Sequence, residues 1–174
     1  MVTQPPLSHF KYFKIHKLIM IAENKILYES ANFLIKEATP ADRKALYKLY
    51  KEVLFENPSD SVGKKLILVA VDKKTNQVIG GIERAVDTES GYAQGIGFAV
   101  SPKFQGMGIG TKLLEVMDDE LRRMGIKHIT TLPSSEESWK IFKKHGYRYV
   151  AAVEEWLKQT GQDRFVKAAM EKDL

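Results

Sequence analysis

Three glycines at alternate positions stand directly ahead of an apolar, helix-forming run in residues 101–114, SPKFQGMGIGTKLL. A glycine-rich turn that opens a helix exposes backbone N–H groups beside the positive end of the helix dipole, and this combination binds phosphate. The segment therefore predicts a phosphate-binding turn. Its ligand could be a dinucleotide, a nucleoside triphosphate or the pyrophosphate of an acyl carrier.

Two common phosphate-binding motifs do not fit this turn. The dinucleotide motif G-x-G-x-x-G would use Gly106 and Gly108 but would place its third glycine at Thr111. A P-loop needs four residues between its first glycine and Gly-Lys-Ser/Thr, and here Thr111 precedes Lys112. Neither a Rossmann-type nor a P-loop site is therefore expected.

The remaining pattern is Gln105-x-x-Gly108-x-Gly110, placed after an apolar strand that ends at Val100. It resembles motif A, Q/R-x-x-G-x-G/A, of the GCN5-related N-acetyltransferases (GNAT), which bind the pyrophosphate of acetyl-CoA with this motif. Family motif B is similar to residues 135–147 in spacing, although several identities differ. The resemblance implies an α/β fold of the α+β type, with a mixed, mainly antiparallel central sheet flanked by helices.

The resemblance also implies acetyl-CoA as the acyl-donor cosubstrate and a set of residues that bind it. Backbone groups of the strand end would bind pantetheine, amides of the turn would bind the pyrophosphate, and two motif B side chains would line the far side. The expected cofactor-binding residues are Phe98, Ala99, Val100, Gln105, Gly106, Met107, Gly108, Ile109, Gly110, Thr111, Ser138 and Phe142. Glycines without Cβ atoms suit a backbone that curls around a diphosphate.

Acetyl transfer by direct attack of a primary amine requires a way to remove the amine proton. For a lysine-like amine at neutral pH this deprotonation costs about 4 to 5 kcal/mol, which a general base can offset. Glu83 is the candidate base because it is the only acid inside the central strands. The alternative interpretation is an ordinary strand carboxylate paired with a lysine or arginine.

Two positions depart from the family pattern. Phe142 stands where many members have a tyrosine acid, and Gln94 stands where the histone-acetylating branch has a glutamate base. Tyr92, Tyr147 and Tyr149 are further candidates for a proton donor, with packing as the alternative role. The alternative function is therefore a non-catalytic acetyl-CoA-binding sensor or regulatory module.

Hydrophobic periodicity and turn residues predict the elements that position these residues. The predicted strands are 33–38, 65–72, 77–86, 92–100, 127–132, 147–158 and 164–170. One helix begins at Thr39-Pro40, a second follows the glycine turn and ends at Gly125, and a third covers 139–144 with Ser134 and Glu137 as its capping box. Residues 33–174 form the acetyltransferase domain, and residues 1–32 an extension with an added strand pair that turns at residues 23–24.

Composition excludes several other kinds of site. The chain has 174 residues, which suits one domain, and it has no cysteine and four scattered histidines, so no metal site is expected. Apolar runs such as residues 18–22 are far shorter than the roughly 20 residues of a membrane span, so we expect a cytoplasmic protein.

The net charge of +5 is spread along the chain. The densest basic cluster is formed by Lys11, Lys14 and Lys17, and it raises a nucleic-acid-binding domain as a third possible function. This alternative is the least favoured of the three. The acceptor amine stays open between small molecules and peptides or proteins. A homodimer formed through the N-terminal extension is a further prediction.

Overall fold

A computed structural model describes residues 25–54, 63–161 and 165–174. The strands in these ranges are β1 (Ile26–Glu29), β2 (Phe33–Glu37), β3 (Lys64–Asp72), β4 (Val78–Asp87), β5 (Tyr92–Val100), β6 (His128–Thr131), β7 (Arg148–Tyr149) and β8 (Met170–Asp173). The helices are α1 (Pro40–Leu54), α2 (Ile109–Arg123), α3 (Glu136–Lys144) and α4 (Ala151–Thr160), with a short 3₁₀ turn at Pro102–Phe104.

The described strands form one sheet in the order β1-β2-β3-β4-β5-β6-β8-β7. All neighbouring pairs are antiparallel except β5 and β6, which are parallel. This confirms the predicted mixed, mainly antiparallel sheet. The parallel pairing covers only residues 92–94 of β5 and 128–130 of β6, so the longer strand β5 continues without a partner on that side.

A β-bulge in β5 changes which side chains face each side of the sheet. Glu83 pairs with Gly97 and Arg84 with Gly95, so Ile96 is an extra residue between two successive pairs. A Cβ on Gly97 would lie 2.6 Å from the ring of Tyr50 on α1, whereas the next residue, Phe98, contacts Phe142 of α3 on the opposite face. Glycine inside a strand often marks a bulge or a close approach of other atoms, and both occur here.

Each face of the sheet has its own apolar core. On one face α1 packs Leu46, Leu49 and Tyr50 against Ile67 and Val69 of β3. On the other face lies the larger core, to which α2 contributes buried residues at four-residue spacing: Ile109, Leu113, Met117 and Leu121. The site residues of β4 and β5 therefore lie between two helical layers, which hold their backbone in place.

A reciprocal capping box starts α1. The amide of Asp42 donates to Thr39 Oγ1 at 3.2 Å, and the amide of Thr39 donates to Asp42 Oδ2 at 2.9 Å. Burial alone would raise the pKa of Asp42, but hydrogen bonds from Lys36 and Thr39 lower it overall. The predicted helix start at Thr39-Pro40 is confirmed, and the structure shows its cause.

Replacing Thr39 with alanine is expected to lower the free energy of unfolding by about 1 kcal/mol at neutral pH. The pKa of Asp42 is lower in the folded than in the unfolded protein, so its carboxylate stabilises the fold fully above the unfolded pKa. This stabilisation is lost as the pH falls through the lower, folded pKa. Urea unfolding at pH 7 and at about pH 3 measures both effects. Thr88→Ala, an exposed threonine in the β4–β5 turn, is the control and should change little.

Two predicted elements near the C-terminus are wrong. Residues 147–158 and 164–170 do not form two long strands: β7 has two residues, α4 occupies residues 151–160, and β8 begins only at Met170. The segment AAVEEWLKQT consists largely of strong helix formers, and Gly161 ends it in the left-handed conformation. Helix propensity and this cap outweigh the apolar residues that suggested a strand.

The predicted capping box of the third helix is also wrong by one residue. The N-cap of α3 is Ser135, whose side chain accepts a hydrogen bond from the Ser138 amide, while Ser138 Oγ accepts one from the Ser135 amide. The helix therefore begins at Glu136, three residues before the predicted start at Trp139. Serine takes the place of the usual Glu or Gln at the third helical position, which is why the sequence pattern was missed.

Only the second strand of the predicted N-terminal pair lies within the described ranges. It is β1, which pairs antiparallel with β2 and extends the sheet at its edge. The first predicted strand, its turn and the basic cluster at residues 11–17 lie outside the described residues. None of the described helices is long and apolar enough to cross a membrane.

Candidate functional site

A cavity of about 390 Å³ lies where β5 and β6 part. Its floor is the β5 segment from Gln94 to Phe98. Its far wall is made by Thr131 at the end of β6, by Leu132 and Ser134 after it, and by Ser138 and Phe142 of α3. Leu54, at the end of α1, lines it from the other face of the sheet. The cavity thus runs between the two strands and is bordered by both helical layers.

The backbone of β5 offers free hydrogen-bonding positions along this cavity. The Ser101 amide donates to the Ile79 carbonyl at 2.8 Å, so Ser101 turns its backbone groups toward β4. Because this direction alternates along an antiparallel strand, Val100 and Phe98 turn theirs away from β4, toward the open side. The Val100 carbonyl accepts a hydrogen bond from Gln105 Nε2 at 3.0 Å, in agreement with this direction.

The glycine turn continues directly from this open edge to the start of α2. Gly106 and Gly108 have φ values of 77° and 76°, which favour glycine, and a Cβ on either would meet no atom within 4 Å. Gly108 is the N-cap and has no side chain to cap the helix, and the first turn of α2 contains no acidic residue. The amides at this helix start are therefore exposed to an incoming anion.

The third glycine of the turn has a different role. Gly110 is helical, and a Cβ there would lie 3.2 Å from the ring of Phe98. Its small size lets α2 pack closely against β5, so it supports the turn through packing. Gln105, another predicted cofactor residue, uses its side chain to tie the turn to the end of β5.

The motif B residues lie on α3, across the cavity from β5. Ser138 lines the cavity, but its hydroxyl is engaged in the helix cap and with the Ser135 carbonyl at 2.9 Å. Phe142 is buried, and its ring centroid is 5.5 Å from that of Phe98. The structure therefore brings the predicted residues Phe98, Ser138 and Phe142 to one cavity.

The candidate base, Glu83, is fully buried on the α1 face of β4. Its Oε1 pairs with Lys65 Nζ at 3.0 Å and accepts from the Tyr47 hydroxyl at 3.4 Å, whereas its Oε2 has no hydrogen-bond partner within the described part of the chain. Burial, and then the charge of Glu83, raise the pKa of Tyr50 well above its usual value. Glu83 does not line the cavity itself; its paired residue Gly97 does.

The three candidate tyrosines lie outside the cavity lining. The Tyr92 hydroxyl contacts that of Thr130, and the Tyr149 hydroxyl donates to the Val166 carbonyl at 2.9 Å, so both link neighbouring segments. Tyr147 is buried in the larger core; burial raises its pKa, and the charge of Arg84 opposes the rise. Their positions agree with the packing alternative.

Arg84 is a cavity residue that the sequence analysis missed. Arg84 follows Glu83 directly, and it is a second charge inside an otherwise apolar strand. It is 1% exposed, yet it lines the cavity beside Gly95 and Thr131. The available signal was a charged residue in the middle of a central strand. The search for a general base considered acids only, so the adjacent arginine was not recognised.

Comparison with known proteins agrees with this geometry. A model of the acetyltransferase (GNAT) family matches residues 31–147. The chain belongs to the GNAT family. The match includes β2 to β6 and the whole glycine turn, and it ends at the last residue of motif B. No curated protein matches the chain significantly.

Solved structures of GNAT proteins share the fold. A GCN5-related N-acetyltransferase from Kribbella flavida has a TM-score of 0.61 at 19% identity, over 82% of this chain and 98% of its own. Tetrahymena GCN5 has a TM-score of 0.59 at 22% identity, over 75% and 84%. A GNAT family N-acetyltransferase from Escherichia coli, solved in complex with CoA, has a TM-score of 0.59 at 20% identity, over 84% and 83%.

Proposed function

We propose that this GNAT protein transfers an acetyl group from acetyl-CoA to a primary amine, in a complex that holds both reactants. The observation that supports this most is the open edge of β5 at Phe98 and Val100, which leads without interruption into the glycine turn. A long, thin ligand with a diphosphate in its middle fits such a path. The family membership supports the same ligand.

Each part of the path suits one part of acetyl-CoA. The backbone groups of Phe98 and the amide of Val100 would bind the amides of pantetheine in the manner of a neighbouring strand, whereas the Val100 carbonyl already accepts from Gln105 Nε2. The amides from Gln105 to Thr111 would bind the diphosphate, with the space beside Gly106 and Gly108 left free for it. The side chain of Ala99 packs on the α1 face, so Ala99 would not contact the cofactor and would only connect Phe98 and Val100 in the strand.

The thioester supplies an acyl carbon to which a neutral amine forms a C–N bond while the C–S bond breaks. Near the bulge, an N–H group of β5 would stabilise the negative charge on the carbonyl oxygen. Glu83 would receive the proton that the amine loses through the Tyr50 hydroxyl, which lies against Gly97. The partnerless Oε2 of Glu83 is available for such a hydrogen bond.

The residues at the two altered family positions do not assist proton transfer. Phe142 has no proton to donate, and Gln94 is an exposed residue at the cavity edge. A thiol has a pKa of about 8.5 and leaves readily as a thiolate, so an acid is not essential. If catalysis fails nevertheless, the alternative is an acetyl-CoA-binding sensor.

Two measurements test the proposal. Calorimetry should detect saturable binding of acetyl-CoA, and free thiol should appear when acetyl-CoA is mixed with an active member of a panel of amines, polyamines and peptides. Binding without thiol release from any acceptor would favour the sensor. Absence of binding to both CoA and acetyl-CoA would contradict both functions.

Several expectations remain predictions beside this proposal. They are the domain boundary at residue 33, the homodimer, the cytoplasmic location and the choice between small-molecule and protein amines.

A further inference from the structure

Among the residues that the structure describes, Arg84 is a buried cation without an anionic partner. It is 1% exposed, and its Nε and Nη2 atoms have no hydrogen-bond partner in the described ranges. Its Nη1 reaches the Glu83 carbonyl at 3.4 Å, and the guanidinium also opposes the rise that burial causes in the pKa of the neighbouring Tyr147 hydroxyl, which is a neutral group. Arginine stays protonated in proteins, so it cannot avoid burial by losing its charge. A buried charge without a partner is strongly unfavourable, which indicates that something outside the described residues completes this site.

Nearby acids in the described part of the chain do not neutralise Arg84. The charge of Glu83 affects the pKa of Tyr50, and the charge of Asp118 affects the pKa of Tyr147. Arg84 affects the pKa of both tyrosines, so both acids lie in its neighbourhood. However, Glu83 pairs with Lys65 at 3.0 Å, and Asp118 pairs with Lys172 at 2.6 Å. Each acid is thus matched by a lysine, and the charge of Arg84 remains.

The cavity presents this charge to a ligand. A Cβ on Gly95 would lie 2.8 Å from Arg84 Nη1 and 2.9 Å from Thr131 Cβ, so the guanidinium crosses β5 where a side chain is missing. The second charged residue in the lining is Lys167, also a cation, and the described lining contains no acid. Arg84 lies at the end of the open β5 edge that is farthest from the glycine turn.

We propose that the cavity binds a carboxylate through Arg84, so that one of the two reactants carries a carboxylate close to the reacting carbon. This inference rests on the proposed acetyl transfer. The planar guanidinium can donate two parallel hydrogen bonds to a carboxylate, and the Thr131 hydroxyl can donate a third. The carboxylate has two sources: an amino acid as the acceptor, or a dicarboxylic acyl group on CoA as the donor.

The acceptor arm compares L-amino acids with the amines that lack only the carboxylate, such as L-lysine with cadaverine and L-phenylalanine with phenethylamine. The donor arm compares the dissociation constants of succinyl-CoA and butyryl-CoA, which differ in one carboxylate. In at least one arm, the carboxylate compound should be preferred about 30-fold or more, the usual effect of a buried charge pair.

Three variants connect this preference to Arg84. Arg84→Met should remove it, Arg84→Lys should retain part of it, and Arg122→Met, which removes an exposed arginine from α2, should leave it unchanged. A role of Arg84 in folding alone would lower all activities together and would leave the ratio of the paired compounds unchanged. If Arg84→Met does not fold, the test uses the ratio between the paired compounds in Arg84→Lys and in the wild-type protein.

The outcomes separate this inference from the proposed function. Turnover with no preference in either arm, or a preference that persists without Arg84, would overturn the carboxylate site while acetyl transfer stands. If no acceptor reacts, calorimetry of the CoA-saturated protein with N-acetyl-L-phenylalanine and N-acetylphenethylamine replaces the acceptor arm. Preferential binding of a carboxylate in that case would support the site without catalysis, and equal binding in both arms would overturn it.

Discussion

Gly108→Ala is expected to weaken acetyl-CoA binding about 10-fold or more, because one or two amide hydrogen bonds to a charged phosphate would be lost. Gly108 has a φ of 76° at the N-cap of α2, and the space around its absent Cβ is empty. Alanine would place a methyl group where the diphosphate is proposed to lie. Calorimetric titration with acetyl-CoA measures the effect.

The backbone cost of this substitution can be separated from its effect on binding. Gly125, just after α2, has a φ of 79°, and it too has no atom within 4 Å of a Cβ. Gly125→Ala is therefore the matched control. Both variants should lose about 1 kcal/mol of stability, but only Gly108→Ala should lose affinity. Equal affinities in the two variants would place the diphosphate elsewhere.

Glu83→Gln is expected to lower kcat about 100-fold or more while the affinity for acetyl-CoA stays the same. Glutamine keeps the shape of the side chain and an oxygen for Lys65 and Tyr47, but it cannot take a proton from the amine. Tyr50 cannot replace it as the base, because burial and the neighbouring charge keep its pKa high. Steady-state kinetics with an active acceptor and calorimetry with acetyl-CoA measure the two quantities.

Two controls accompany this variant. Glu89→Gln removes an exposed carboxylate from the β4–β5 turn and should leave kcat unchanged. The melting temperature shows whether loss of the buried Glu83–Lys65 pair has altered the fold. A folded Glu83→Gln protein with wild-type kcat would assign Glu83 to the structural alternative, a carboxylate held by a lysine.

The elements around the glycine turn were predictable because local signals agree there. The start of α1 depends on residues three apart, and the strand, turn and helix from residue 92 to 123 each have a clear pattern. At the C-terminus the local signals conflict: apolar residues suggested a strand, whereas residue composition and Gly161 favour α4. The wrong prediction there came from ranking periodicity above propensity.

The functional residues divide in the same way. The turn from Gln105 to Thr111 is contiguous, so its spacing is visible in one stretch of sequence. The cavity is assembled from β4, β5, the segment after β6 and α3, which are distant along the chain. No spacing rule connects Arg84 with Thr131, and their proximity follows from the bulge and from the parallel pairing of β5 with β6.

By itself, the sequence determined the family, the sheet-and-helix architecture and the phosphate-binding turn, because backbone conformation there depends on neighbouring residues. The tertiary structure alone decided that Glu83 is buried on the α1 face and paired with a lysine, and that Arg84 faces a cavity whose described lining contains no acid. Adjacent strand residues point to opposite faces, so two neighbouring charges enter different surroundings. Those surroundings are made by side chains from other parts of the chain.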